Sequence, residues 1–525
     1  MKPQQGSRLR NFHQAKWDEE VIFELTTPGE RGIHFPQVER EISDAVGDGL
    51  SCIPKSMRRA TTPALPEVGQ MRVLKHFLRL SQQTLGADLN IDIGQGTCTV
   101  KYSPKINEKI AASSKARDIH PDQDESTVQG ALQVMYELDC FFRAISGMDR
   151  FSLQPSSGSH AILTMAAIVH KYHEVRGEAG TRDELITTIF SHPSDAAAAA
   201  VKGYRIITLY PDEQGMPDLE ALKAAVSDRT AGLFITNPED IGIFNPQIAE
   251  FTRAVHDVGG ICGYDQANAN GIMGITRARE ADFDLCFFNL HKTFGAPHGC
   301  GGPASGAIGA TEKMAQYLPV PLVGLDGDRY YLDYDVPHTI GKTRMFYGAF
   351  PVILKAYAWI MSMGAAGLEE AAKIAVLNNN YLLKHITEIA GATSPYRGGK
   401  RRIEQVRYSW EELYHETGID THDVTLRLAD FGFHLWQSHH PFVVPQPFTI
   451  EPTESYSKKE LDEYLDGLRH VVHEARTEPE TVKRAPHNSV VHKIDESTFD
   501  DPDKWAITWR AYLKKHGEGA AKIRG

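Results

Sequence analysis

Cysteine is scarce in this chain. Its six thiols (Cys52, Cys98, Cys140, Cys262, Cys286 and Cys300) are spread over 525 residues with no CxxC pair, so reduced, mostly buried thiols are expected rather than a disulfide scaffold. Long apolar runs are missing too. No stretch approaches the roughly 20 residues of a membrane span, and the start at Met1-Lys2-Pro3 lacks the apolar core of a signal peptide. A cytoplasmic protein is the expectation. Positive charge is in deficit, with 56 Lys and Arg against 68 Asp and Glu and a formal net charge of −12. A general nucleic-acid binder would want a basic face, so neither nucleic acid nor membrane is expected as a partner. Wholesale disorder is excluded by a composition of 41% hydrophobic and 24% charged residues, which is an ordinary globular balance.

What is present is chain enough for several cores. Residues 1–120 read as an N-terminal arm and irregular segment, with one helical stretch near 65–85. From about 125 the pattern changes, with helices at 128–146 and 158–176. The runs Leu185–Phe190, Tyr204–Leu209, Gly232–Thr236, Gly260–Tyr264 and Leu285–Phe288 read as strands, with helices near 193–202, 217–226 and 245–258 between them. This alternation predicts a mostly parallel sheet covered on both faces, filling a large α/β domain over 121–345. Ligands of such sheets sit at the carboxyl ends of the strands. A helical stretch over 346–391 leads into a smaller C-terminal α+β domain ending near 480, with an amphipathic helix at 457–475. The tail 481–525 should lie on the surface or against a partner.

Three motif matches fail on context. Gly299, Gly301 and Ala304 satisfy GxGxxA, but no strand leads into Gly299 and Pro303 interrupts the turn. Gly341-Lys342-Thr343 resembles the end of a phosphate-binding loop, yet position 336 is Val336 rather than glycine. His470 and His473 share a helix face without a third ligand nearby, so no metal site is expected.

The informative stretch runs from Tyr264 to Gly309. Asp265 stands at the end of one strand, followed by Gln266, Ala267 and Asn268; Lys292 follows the next strand, 27 positions on, within Asn289-Leu290-His291-Lys292-Thr293-Phe294. A lysine in a partly dry pocket can attack a carbonyl and form a Schiff base. A carboxylate on the neighbouring strand can keep a pyridinium nitrogen protonated. Those are the two demands that pyridoxal phosphate makes of a protein. Its phosphate needs a cradle, and Ser156-Ser157-Gly158-Ser159-His160 leads small hydroxyl residues and a glycine into a helix start. His192 is available to stack on a ring. Each piece alone has a plainer reading as a cap or a surface lysine; their order on an α/β pattern favours the cofactor.

These residues resemble the pyridoxal-phosphate-binding half of glycine decarboxylase, the P-protein of the glycine cleavage system, and most closely its separately encoded second subunit. The resemblance covers nearly the whole chain. It includes Gly96-Thr97-Cys98-Thr99 with Lys101-Tyr102-Ser103-Pro104, Gln154-Pro155-Ser156-Ser157-Gly158, the segment around Lys292, Pro297-His298-Gly299, Arg344 with Phe346-Tyr347-Gly348, and Ile450-Glu451-Pro452-Thr453-Glu454-Ser455. It implies the type I pyridoxal-phosphate-dependent transferase fold, with a mostly parallel seven-stranded sheet. It also implies a Schiff base at Lys292, Asp265 on the pyridine nitrogen, His192 stacked on the ring, and Ser157, Gly158, Ser159 and Thr343 at the phosphate. Ala267, Asn268 and His291 would line the cofactor, and His291 and His298 are the candidates for proton handling, with a bracing role for either as the alternative.

The implied activity is that of glycine dehydrogenase (aminomethyl-transferring), an oxidoreductase acting on CH–NH2. Glycine is decarboxylated and its aminomethyl group passes to the lipoyl arm of H-protein, in an oligomer with a homologous subunit corresponding to the N-terminal half. The alternative is a divergent pyridoxal-phosphate enzyme of the same family, a decarboxylase, lyase or transferase acting on another amine or amino acid. Some positions depart from the family's usual residues. Pro193 and Asp195 stand where glycine and asparagine are usual, and Glu239, Asp240 and Ile241 where two hydroxyl residues and a histidine are. Two carboxylates there would repel a substrate carboxylate unless paired or turned away.

Overall fold

Short β-branched and aromatic runs alternate with helices from Arg150 onward, and in the computed structural model they assemble as one seven-stranded sheet. The structure describes residues 9–84, 86, 89–94, 101–297, 304–396, 401–436, 443–490, 493–494, 496–499, 501 and 504–517. Cys98 with its Gly96–Thr99 motif, His298, Cys300 and the glycines at 299, 301 and 302 lie outside the described residues.

The chain divides into two compact units, residues 1–11 with 87–485 and residues 12–86 with 486–525. In the larger unit the strands are β1 (Arg150–Ser152), β2 (Glu184–Thr188), β3 (Arg205–Leu209), β4 (Thr230–Thr236), β5 (Ile261–Gln266), β6 (Leu285–Asn289) and β7 (Gly306–Ala310). Their order across the sheet is β1-β7-β6-β5-β4-β2-β3. β7 runs antiparallel to both of its neighbours, while β6, β5, β4, β2 and β3 pair in parallel.

Burial on both faces explains why these strands read as continuous apolar runs. Along β6, Cys286 and Phe288 enter the core that contains Leu138 and Phe142 of the helix Gln129–Ser146. Leu285 and Phe287 enter the core that contains Ile162, Met165 and Val169 of the helix Gly158–Val175. The two-residue period of a strand therefore distributes one sequence between two helical layers. Two further strands, β8 (Leu322–Asp326) and β9 (Arg329–Asp333), form a separate antiparallel pair.

A third large core gathers Leu382, Leu383 and Ile386 with residues from 389 to 482. It is built around the antiparallel pair β10 (Val406–Ser409) and β11 (Pro447–Ile450) and the helix Lys458–Thr477. Trp410 stacks on Phe448 with ring centroids 4.6 Å apart. The last helix starts with a capping box, Ser457 and Glu460 satisfying each other's backbone N–H. Joining the cores is the helix Phe350–Ile386, broken at Gly364, whose φ of 62° only glycine adopts cheaply. By length and composition it is apolar enough to cross a membrane. Its first half nevertheless supplies Val352, Ile353 and Trp359 to one core and its last turn supplies Leu382 to Ile386 to another.

In the smaller unit the chain's tail joins the arm. Phe23 stacks on Trp509 at 4.9 Å, the Tyr512 hydroxyl donates to Glu24 Oε1 at 2.8 Å, and Gln14 N–H donates to Asn488 O at 2.9 Å. No periodic pattern announces this pairing, because both partners are short segments that bury little on their own. The helix Gln70–Gln82 buries only His76.

Candidate active site

The carboxyl ends of β2, β4, β5 and β6 bring the residues singled out in the sequence together. Thr236 of β4 is in register with Asp265 of β5, and Asp265 with Phe287 of β6, so the loop at 237–242, Asp265 and the turn carrying Lys292 open on one edge. The helix Gly158–Val175 starts on the same edge. A Cβ on Gly158 would lie 2.7 Å from Asn289 Nδ2, so only glycine lets the helix start this close to the end of β6. Ser157 caps that helix by accepting from His160 N–H at 3.2 Å. The exposed Ser159 lies in its first turn. Thr343 reaches the same region, its N–H donating to Gln154 Oε1 at 3.1 Å.

Asp265 is 5% exposed. Its Oδ1 accepts from Ala267 N–H at 2.8 Å, while Oδ2 has no hydrogen-bond partner among the described residues. Burial pushes its pKa up to about 7, opposed by the Ala267 N–H and by the positive charge of Lys292. Lys292 is 9% exposed. Its charge falls on Asp265 and on Glu451, and its amine makes no hydrogen bond among the described residues. An unsatisfied buried carboxylate oxygen and an unengaged buried amine, beside a glycine-opened helix start, fit a group carrying a basic ring nitrogen, an aldehyde and a phosphate.

The two candidate histidines within the described residues are each held through Nδ1. His192 caps the helix Pro193–Val201: its Nδ1 accepts from Ser194 N–H at 3.2 Å and lies 2.7 Å from Ser194 Oγ. His291 Nδ1 donates to the Ser305 carbonyl at 3.1 Å, which fixes Nε2 as the nitrogen without a proton in the neutral ring. Asn268 and Asn270 both donate to Glu451.

Several residues emerge here that sequence reasoning left unassigned. Glu451 is fully buried, its pKa pushed up to about 7 by burial against the pull of Asn270, Asn268, Lys292 and Lys101. Glu239 accepts both its hydrogen bonds, at 2.8 and 3.0 Å, from the Thr188 hydroxyl, and burial raises its pKa to about 8. Asp240 lies 3.7 Å from Arg407, whose side chain on β10 is 2% exposed. The two carboxylates of this loop are thus engaged inside the protein. The sequence signal for Arg407 is a cation between Val406 and Tyr408 in a short strand.

At the opposite edge of the sheet His256, Cys262 and Asp284 lie within 4.8 Å of one another. Asp284 Oδ2 accepts from His256 Nε2 and from the Cys262 N–H, each at 2.8 Å. The trio is satisfied as a brace between two strands.

A family model described as "Aminotransferase class-V" matches residues 156–318, and one described as "Glycine dehydrogenase, C-terminal domain" matches residues 371–493. Over 511 residues the chain is 45% identical to a probable glycine dehydrogenase (decarboxylating) subunit 2 from Pyrococcus horikoshii, covering 97% of this chain and 99% of that one. It is 42% identical to the protein of the same description from Caldanaerobacter subterraneus, covering 91% and 96%. Among solved structures it superposes on a glycine decarboxylase (P-protein) of the glycine cleavage system in inhibitor-bound form. The TM-score is 0.69 at 19% identity, over 84% of this chain and 100% of that one. At that identity the likeness speaks for the fold, which is the mostly parallel seven-stranded sheet and C-terminal lobe described above.

Proposed function

This chain belongs to the glycine dehydrogenase (decarboxylating) subunit 2 family, and we propose that it is the subunit that decarboxylates glycine and passes the aminomethyl group to the lipoyl arm of an H-protein in the cytoplasm. Pyridoxal phosphate is the cofactor. When bound it supplies an electron sink for the electron pair left behind as carbon dioxide departs.

The chain's own residues do the rest. Lys292 would hold the cofactor through its amine and can take up or return a proton at Nζ. Asp265 Oδ2 holds the proton of the ring nitrogen. Backbone N–H groups at Ser157, Gly158 and Ser159, with Thr343, receive the phosphate. His192, Ala267 and Asn268 would line the ring. His291 Nε2 exchanges the proton that the product carbon requires, and His298 completes the proton-handling set.

Glu239 and Asp240 do not count against glycine. One is hydrogen-bonded to Thr188 and the other faces Arg407, so neither stands as a free charge against the substrate's carboxylate. A homologous companion subunit completes the assembly, in keeping with the relatives' description as a second subunit.

The observation that carries this reading is the buried Asp265 carboxyl beside the buried Lys292 amine at adjacent strand ends. The test is exchange of labelled bicarbonate into the carboxyl group of glycine, with companion subunit and lipoylated carrier present. Label should enter glycine; no incorporation with all partners bound would overturn the reading.

A further inference from the structure

The Thr236 N–H donates to Ser191 Oγ at 3.1 Å and Thr236 is in register with Asp265, which gathers four interacting carboxyl groups at these strand ends: Asp265 itself, Asp195 in the first turn of the helix Pro193–Val201, and Glu239 and Asp240 after β4. All are buried, at 5, 1, 1 and 8% exposure respectively. Glu239 is taken up by Thr188 and Asp240 by Arg407. Asp195 is different, because among the described residues neither of its carboxyl oxygens has a settled hydrogen-bond partner, and Asp265 Oδ2 beside it has none either. Two buried carboxyl groups that meet do not both ionise readily, and the proton they retain serves as a hydrogen bond between them.

The surroundings decide which of the two keeps the proton. Asp265 receives the Ala267 N–H and the positive charge of Lys292. Asp195 faces the carboxyl groups of Asp265, Asp240 and Glu239, and the guanidinium of Arg407 is engaged with Asp240. Asp240 bears on both groups, but the cation and the backbone donor act on Asp265 alone, and Asp195 has neither.

We propose that Asp195 is a positioning residue: as a neutral acid it donates its O–H to Asp265 and orients that carboxylate as the one negative charge offered to the cofactor's ring nitrogen. Burial and the adjacent Asp265 hold Asp195 well above the usual carboxylate range, in agreement with this assignment. The inference rests on Asp265 being the ring-nitrogen partner, and its test separates the two ideas.

The first measurement needs no cofactor. Infrared difference spectra of the cofactor-free protein at neutral pH, wild type minus Asp195→Asn, should show loss of the carbonyl stretch of a neutral carboxylic acid. Loss of a carboxylate band instead would overturn the proposal. The second measurement is cofactor affinity by absorbance titration. Asp195→Asn keeps a donor of the same size and should bind pyridoxal phosphate as wild type does. Asp195→Ala removes a donor to a charged acceptor and should bind about tenfold more weakly. Equal affinity in the alanine variant, or weak binding in the asparagine variant, would count against an orienting hydrogen bond. If wild type itself takes up no pyridoxal phosphate, the cofactor reading of Asp265 falls while the infrared result still decides the state of the pair.

Discussion

Lys101 Nζ lies 2.6 Å from Glu454 Oε2, an ion pair joining residues 353 positions apart, and the lysine side chain is wholly buried. The same ammonium sits 5.4 Å from the ring centroid of Trp359, and the neighbouring Tyr102 N–H donates to Ser455 Oγ at 2.8 Å. The segments Lys101–Pro104 and Ile450–Ser455, each distinctive in the sequence, are therefore two sides of one contact. Through Glu451, next to β11, the second segment also grips Asn268 and Asn270 behind Asp265.

Breaking that ion pair should be costly, because removing one partner strands a charge with little access to water. Lys101→Met is expected to lower unfolding free energy by roughly 3 kcal/mol, and the double variant Lys101→Met, Glu454→Gln to recover most of the loss. Denaturant unfolding of the two variants and wild type checks this; additive losses in the double variant would show that the two residues are not coupled.

Gly158 makes a sharper steric prediction. A methyl group there would sit 2.7 Å from Asn289 Nδ2, so Gly158→Ala must displace either the buried Asn289 amide or the helix start. A cost of about 1–3 kcal/mol in stability is expected from such overpacking, together with weaker cofactor uptake, since both groups border the proposed phosphate cradle. Combining it with Asn289→Ala should restore much of the stability. The check is thermal unfolding alongside absorbance titration with pyridoxal phosphate.

The sheet is largely legible from sequence and the acid cluster is not, for a physical reason. The strand end at Thr236 follows from a run whose burial on both faces leaves a continuous apolar signal, and the run read to Phe288 stops one residue short of the observed end at Asn289. Asp265 and Lys292 are legible because consecutive parallel strands place their carboxyl ends side by side, so order along the chain stands in for proximity. No such shortcut links Glu239 to Thr188, Asp240 to Arg407 or Asn270 to Glu451, whose partners come from non-adjacent segments. The Glu239–Asp240 pair therefore reads as an open negative charge until the contacts that engage it are visible. The tail's attachment to the arm, made by Trp509 and Tyr512 in one short helix, escapes for the same reason.

Lys292→Ala should leave the fold intact and abolish the near-visible absorption band of the protein incubated with pyridoxal phosphate, since the band requires an amine at the end of β6. The deletion removes a side chain whose amine makes no hydrogen bond among the described residues, so a melting temperature close to that of the cofactor-free wild type is expected. Absorption spectra before and after borohydride treatment check this; a retained, reducible band would place the anchoring amine elsewhere.

Glu239 gives the protein a pH dependence whose sign can be stated. Burial raises its pKa from 4.5 to about 8 in the folded state. Below pH 4.5 the group is protonated whether the chain is folded or not; between that value and about 8 only the folded chain holds the proton. Stability from this group is therefore fully present in acid and is lost as pH rises through that window. Glu239→Gln mimics the neutral acid and keeps an acceptor for the Thr188 hydroxyl, so it should match wild type in acid and exceed it progressively toward alkaline pH. The difference should reach the order of a few kcal/mol, since a tenfold change in proton affinity between the folded and unfolded chain is worth about 1.4 kcal/mol. Urea unfolding of both proteins across this range measures the gap directly. Parallel curves would mean that Glu239 is ionised in the fold, in which case Thr188 and Arg407 would be holding a charge rather than a proton.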